Sequence, residues 1–229
     1  MKNTIISVLT NCFCPLRCIN CGQPGEVLCL CCRNYIGFGL DRCLVCDEKL
    51  NDWKCEHCAL SFCRQYCLGE RKGVLKELIN VYKYQALRVA GDVLAELIVE
   101  NVVFDEDVVL VPLPTIRRHI RERGFAHIER LASRICKLSR HKRQSDKTCI
   151  TCAQVLCRAN STVQVGASAE QRARQAQEAY TLKSGFDPEK HYILLDDVWT
   201  TGSSMLAAAQ KLRSQGAQKI DILVIAKTV

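Results

Sequence analysis

Two groups of residues in this 229-residue chain have types and spacings that can do chemistry. The first is the run Tyr192-Ile-Leu-Leu-Asp-Asp-Val-Trp-Thr-Thr-Gly-Ser-Ser204. Its adjacent carboxylates, Asp196 and Asp197, can accept hydrogen bonds from vicinal hydroxyls. Val198 and Trp199 follow, and then a small hydroxyl-bearing turn, Thr200, Thr201, Gly202, Ser203 and Ser204. If a helix begins there, its first N–H groups have no intrahelical partners and lie at the positive end of the helix dipole, which suits an anion. Gly202 lets the backbone close on a phosphate. A phosphate cup over Val198 to Ser204, beside a diol clamp made by Asp196 and Asp197, reads as a ribose 5-phosphate site. A plain capping turn accounts for Thr201 or Ser203 but not for two acids at the end of a strand.

The second group is cysteine. The chain holds 17, and 13 of them fall between Cys12 and Cys67. As a disulfide framework this would demand an exported protein, and the N-terminal Ile5-Ile6-Ser7-Val8-Leu9 is too short for a secretory core. As metal ligands the cysteines fit a reducing cytoplasm, and a cytoplasmic location is expected. Cys18/Cys21, Cys29/Cys32, Cys43/Cys46 and Cys55/Cys58 form Cys-x-x-Cys knuckles in two pairs, separated by seven and eight residues. Two such knuckles complete a tetrahedral four-thiolate shell, so two structural zinc ions are expected and no zinc catalysis. Cys31 can replace Cys32 and His57 can replace a thiolate, and iron–sulfur ligation competes with zinc for the whole cluster, although paired knuckles favour zinc. Cys12, Cys14, Cys63 and Cys67 read as core packing, with Cys63 and Cys67 spaced to share a helix face.

The elements that must position these groups follow from periodicity. Residues 1–69 read as a double zinc ribbon, opened by an amphipathic turn or two, and 70–229 as an α/β domain. Val74, Leu75, Leu78, Ile79 and Tyr82 mark one helix after Arg71, and Val89 to Val102 a second from Arg88. Val108 to Pro114 is the first core strand, ended by prolines that give no ladder donor. Thr115 to Phe125 then reads as a cationic loop, followed by a helix from Ala126 to Leu138 and a polar loop from Ser139 to Lys147. A strand is predicted over Thr148–Arg158, a flap or helix over Gln164–Gln177, a strand over Tyr192–Leu195, a helix from Met205, and a last strand over Ile220–Ala226. Loops at the carboxyl ends of parallel strands bind ligands in such folds, which aims Arg117, Arg118, Arg121 and Arg123 at a pyrophosphate or a nucleic-acid backbone.

Net charge is +8, and from Val111 to Ile150 eleven Lys/Arg residues face only Glu122, Glu129 and Asp146. That bias points to pyrophosphate, nucleic acid or both. No apolar run approaches the ~18–20 residues of a membrane span, so no membrane insertion is expected. The absence of Gly-x-Gly-x-x-Gly and of a P-loop argues against dinucleotide or NTP binding.

The run from Tyr192 to Ser204 resembles the 5-phosphoribosyl 1-pyrophosphate (PRPP) motif of type I phosphoribosyltransferases. The chain as a whole resembles the ComF competence family, in which a double zinc ribbon precedes a phosphoribosyltransferase-like domain. The landmarks are the four knuckles, Lys83-Tyr84, Val111-Pro-Leu-Pro114, Arg121-Glu-Arg-Gly-Phe125, Gln164-x-Gly166-x-Ser168 with Arg172 and Arg174, and the PRPP motif. The chain departs from that pattern at Ala126, Ala169 and Gln175, which bears on the flap rather than on the cup. The resemblance implies PRPP or a related phosphoribosyl ligand, Mg²⁺ carried with PRPP, and single-stranded DNA handled during natural transformation beside a competence helicase. Phe125, Tyr180 and Trp199 are the aromatics in place to stack bases. The alternative is a true transferase that moves ribose 5-phosphate to a nitrogen base and releases pyrophosphate. No residue stands out in the sequence as its catalytic base or nucleobase reader.

Overall fold

The computed structural model describes residues 16–58, 62–142, 148–159 and 179–228. At its centre is a five-stranded, wholly parallel sheet in the order β1-β7-β6-β2-β3. Its strands are β1 (Gln65–Glu70), β2 (Val108–Pro112), β3 (Ile150–Cys152), β6 (His191–Trp199) and β7 (Lys219–Lys227). A separate antiparallel pair joins β4 (Leu156–Arg158) to β5 (Tyr180–Leu182). The helices are α1 (Leu30–Arg33), α2 (Gly73–Tyr84), α3 (Arg88–Asn101), α4 (Arg117–Arg123), α5 (His127–Lys142) and α6 (Ser203–Arg213).

Alternation along β6 and β7 divides the interior into two cores. Ile193, Leu195, Leu223 and Ile225 face the layer of α2, α3 and α5. Tyr192, Leu194, Ile222 and Val224 face α6, whose Met205, Ala207, Ala208 and Leu212 close the opposite layer. Both faces of the central strands are covered, which is why they read as unbroken apolar runs. From β2 the chain crosses through α4 and α5 to β3 on one side, and from β6 through α6 to β7 on the other. The sheet order therefore reverses between β2 and β6, and a crevice opens at their carboxyl ends.

Several predicted elements differ from those observed. The expected loop Thr115–Phe125 contains α4, because straight-chain Arg and Glu are good helix formers and Arg118 Nε meets Glu122 Oε1 at 2.7 Å across one turn. Gly124, at φ 77°, supplies the left-handed residue that ends it. The polar loop expected from Ser139 is a continuation of α5 to Lys142, with Ser139 buried one turn beyond Ile135. The single strand expected over Thr148–Arg158 is two. Ala153 N still donates to Leu110 O, but beyond it Pro112 and Pro114 offer no N–H, so the chain leaves β2 and pairs with β5 instead. Cys63 and Cys67 do not share a helix: Cys67 lies in β1, buried among apolar neighbours, with its thiol pushed up to about 12 by that burial. The sheet starts at Gln65, inside the segment read as the ribbon. Cys12, Cys14, the N-terminal turn and Gln164–Gln177 lie outside the described residues.

Candidate functional site

Strand β6 does not stop before the acids. It runs through them, with Asp196 in register with Val224 and Val198 with Ala226. Successive strand residues point to opposite faces, so the two carboxylates do not form a side-by-side pair. Asp197 falls on the α2/α5 face and Asp196 on the α6 face, and both line one cleft of about 190 Å³ at the crevice.

Asp197 is buried and already partnered. Its Oδ2 accepts from His127 Nε2 at 2.8 Å and lies 2.6 Å from Lys83 Nζ. Arg123 NH1 is 3.2 Å from His127 Nδ1. A guanidinium only donates, so Nδ1 accepts and the ring proton belongs on Nε2, facing the carboxylate. Tyr82, one residue before Lys83, donates from its hydroxyl to His127 O at 2.6 Å and fixes the start of α5 against α2. Burial works to raise the Asp197 pKa, but the His127 hydrogen bond and the Lys83 charge prevail and hold it well below the usual carboxylate range.

Asp196 behaves in the opposite way. It is half-buried, and burial together with the neighbouring Asp197 charge pushes its pKa up to about 7, against the amide of Asp197, which donates to Asp196 Oδ1 at 2.9 Å. Around it stand Tyr180, Ser204 and Arg158. The Arg158 guanidinium sits 5.6 Å from the centre of the Tyr180 ring, and its Nε donates to Pro114 O at 3.2 Å.

The hydroxyl turn leads into α6. Thr200, Thr201, Ser203 and Ser204 are exposed, and Thr201 Oγ1 lies 2.9 Å from Ser203 Oγ. Gly202, at φ 72°, is the residue before the helix, and no side chain caps its first turn. A Cβ at Gly202 would overlap the Trp199 ring, so glycine is required there both by conformation and by that contact. Trp199 is buried against Phe62, with ring centroids 6.4 Å apart. Of this stretch, Trp199 is thus turned into one core and Val198 is half-buried against the other.

The four predicted arginines do not converge, because a helix turns successive residues by about 100°. Arg123 reaches the carboxylate cleft, Arg117 faces a neighbouring cavity, Arg118 pairs with Glu122, and Arg121 is exposed. The cations the cleft does gather include Lys83 and Arg158, together with Arg123. The sequence marks Lys83 only as a landmark beside Tyr84; the clue to its role was its place in the last turn of an amphipathic helix, where a lysine can reach an adjacent strand end. His127 gave no local signal. Two of the three expected stacking platforms are buried, Trp199 and Tyr180 being 4% and 2% exposed, while Phe125 is half-buried with Tyr82 packed against it at 5.5 Å. The exposed aromatic at this end is Tyr84, 63% accessible, with the Arg123 guanidinium 5.6 Å from its centre.

In the N-terminal module the knuckles come together as the spacing requires. Cys18, Cys21, Cys29 and Cys32 form one cluster and Cys43, Cys46, Cys55 and Cys58 another, with sulfurs within 4.8 Å of one another in each. Cys21 and Cys29 sulfurs are 3.7 Å apart and Cys46 and Cys55 sulfurs 3.5 Å, near the ~3.8 Å edge of a tetrahedron with ~2.3 Å zinc–sulfur bonds. Asn20 Nδ2 donates to Cys32 Sγ at 3.2 Å, Val45 N to Cys43 Sγ at 3.3 Å, and Gln65 Nε2 to Cys43 Sγ at 3.2 Å, contacts that favour the thiolate form a metal needs. The donor set fits zinc, with no position left for a substrate. Cys31 and His57 stand outside both clusters.

Residues 147–228 match the family model described as UPRTase, uracil phosphoribosyltransferase, which is less than half of the chain. Among solved structures, a hypoxanthine phosphoribosyltransferase from Staphylococcus aureus matches at 10% identity over 68% of this chain and 74% of that one, with a TM-score of 0.33. No curated protein matches. The family match and the parallel sheet together describe a phosphoribosyltransferase-like α/β domain, behind a module with two four-cysteine clusters. Among the described residues no helix is long and apolar enough to cross a membrane.

Proposed function

We propose that this chain binds PRPP, or a closely related phosphoribosyl ligand, in the crevice between β2 and β6. The observation that carries the reading is the sequence of groups on β6 and α6: a half-buried carboxylate, Asp196, facing the cleft, then an exposed hydroxyl turn at the uncapped N-terminus of a helix. Asp196 accepts from the ribose hydroxyls, the amides and hydroxyls of Thr200 to Ser204 hold the 5-phosphate, and Lys83, Arg123 and Arg158 balance the pyrophosphate with its Mg²⁺. Asp197 acts one step back by holding Lys83 and His127. The ribbon carries two structural zinc ions.

On the strength of its landmarks we assign the chain to the ComF type, acting in the cytoplasm in DNA uptake beside a helicase. Arg118 and Arg121 on the exposed face of α4 are suited to a strand's phosphates, through charge rather than base stacking. A transferase that passes ribose 5-phosphate to a nitrogen base is the second reading, favoured by the cavity of about 790 Å³ that adjoins the cleft. Titration calorimetry with PRPP and Mg²⁺ tests the common premise: micromolar binding that is abolished in Asp196→Asn is expected, and normal binding by that variant removes the site assignment. Pyrophosphate release that requires an added base separates the transferase from the binding protein. Charge reversal of Arg118 and Arg121 is expected to weaken single-strand capture and to flatten its salt dependence, by about one unit of slope for each phosphate no longer neutralised.

A further inference from the structure

The cavity beside the carboxylate cleft shares Pro114, Thr115, Ile116 and Arg158 with it, so the two are compartments of one site. At about 790 Å³ it is the size of a small-molecule pocket. Its wall combines three kinds of group. Pro112, Pro114, Ile120 and Leu156 are apolar; Arg117, Arg158 and Lys183 are cationic; and one acid, Glu129 on the first turn of α5, stands against them. Glu129 Oε2 is buried and has no hydrogen-bond partner among the described residues. A buried carboxylate oxygen without a donor is costly, and native structures keep few of them. Arg158 is held in place by the Tyr180 ring and the Pro114 carbonyl, so its charge is fixed at the boundary between the compartments.

Resting on the phosphoribosyl reading of the cleft in its transferase form, we propose that this cavity is the acceptor site and that it takes a flat N–H compound carrying a carboxylate. The apolar wall covers the ring, Arg117 and Lys183 meet the carboxylate with Arg158 standing between it and the pyrophosphate, and Glu129 accepts from the N–H. A neutral base would leave the cations unmatched, and a simple carboxylate without N–H would leave the Glu129 oxygen unmatched. In the transfer, the nitrogen forms the bond to ribose C1 as the C1–oxygen bond breaks. Pyrophosphate leaves with that electron pair, and the N–H proton passes to Glu129.

The test uses the full zinc-loaded chain and matched probes that differ in the carboxylate: orotate against uracil, nicotinate against nicotinamide, anthranilate against aniline. PRPP with Mg²⁺ is titrated first, and its failure to bind counts against the cleft reading alone. The probes are then titrated on the chain with and without PRPP. Tighter binding of the acid in the N–H pairs, by about tenfold as one charge-assisted hydrogen bond allows, is expected. Lys183→Gln, at an exposed position that does not endanger folding, is expected to shrink that ratio to about threefold or less, and Glu129→Gln to weaken orotate and anthranilate but not nicotinate, which has no N–H. Equal or better binding of the neutral members, or no binding by any probe, overturns the proposal.

Discussion

His127 Nε2 lies 2.8 Å from Asp197 Oδ2, a polar contact that joins α5 to β6 at the crevice. Lys83 brings α2 to the same oxygen at 2.6 Å. The carboxylate therefore ties three elements together, and the adjacent Asp196 is left to face the cleft. Removing one partner of a buried ion pair strands the others, at about 3–5 kcal/mol. Asp197→Ala is thus expected to lower the urea midpoint strongly, with ligand binding falling as a consequence. Asp196→Asn is expected to lose PRPP binding with folding intact. Equal stability losses in the two variants would contradict this division of labour.

Protonation separates the same two residues. The Asp196 pKa rises on folding to about 7, so its protonated form is favoured in the native state, and the associated stability, present in acid, is lost as pH rises through 7. Asp196→Asn removes that loss: its melting temperature is expected to exceed that of the parent at pH 8, by a shift on the order of 5 °C, with the gap narrowing as pH falls below 7 and closing only near the ordinary carboxylate value. Ligand binding should strengthen in the parent between pH 6 and 8, since the ionised carboxylate is the better acceptor for a sugar diol. For Asp197 the sign reverses. Its pKa is depressed, so its stabilisation is present above the ordinary carboxylate value and is lost as pH falls below it.

How far the sequence foretold the site depends on how local the signal was. Both four-cysteine clusters were legible because a knuckle fixes its ligands within four residues, and pairing needs only the next knuckle. The apolar run over Tyr192–Leu195 and the helix expected from Met205, which begins at Ser203, were legible for the same reason. The facing of the two acids was not, since four apolar residues reveal a buried strand but not where it ends; β7 extends the ladder through Trp199. Lys83 and His127 come from elements 114 and 70 residues away, respectively, and only the packing of α2 and α5 on one face brings them to Asp197. Arg158 was hidden in a predicted strand that Pro112 and Pro114, at and just past the end of β2, force to break. The flap expected over Gln164–Gln177 lies outside the described residues.

Gly202 offers a sharper test of the turn. Its φ of 72° disfavours any side chain, and a methyl group there would press on Trp199, itself wedged against Phe62. Gly202→Ala is expected to destabilise the chain by about 1–3 kcal/mol and to weaken PRPP binding, because the first turn of α6 must move to relieve the overlap. Intrinsic fluorescence of the two tryptophans would report the displacement of Trp199, and an unchanged spectrum with unchanged affinity would argue against a role for the turn.

Metal removal tests whether the ribbon and the sheet are one unit. Gln65 opens β1 and is buried at the second cluster: its Nε2 donates to Cys43 Sγ at 3.2 Å, and its Oε1 accepts from Leu44 N at 3.0 Å. Arg64, one residue earlier, donates its backbone N–H to Asp221 Oδ1 on β7 at 2.8 Å and pairs with Asp52 of the ribbon at 3.3 Å. Loss of the metal from Cys43, Cys46, Cys55 and Cys58 therefore loosens an edge strand of the sheet, whereas the first cluster is anchored to α3 through Arg33 and Glu96 at 2.8 Å. Elemental analysis is expected to find two zinc ions per chain, reduced to one in Cys43→Ser/Cys46→Ser and in Cys18→Ser/Cys21→Ser. Of these, the Cys43/Cys46 variant is expected to show the larger loss of amide-exchange protection in β1 and β7, since Gln65 links its cluster directly to the ladder. Protection in β1 that survives removal of both metals would mean that the sheet stands without the ribbon.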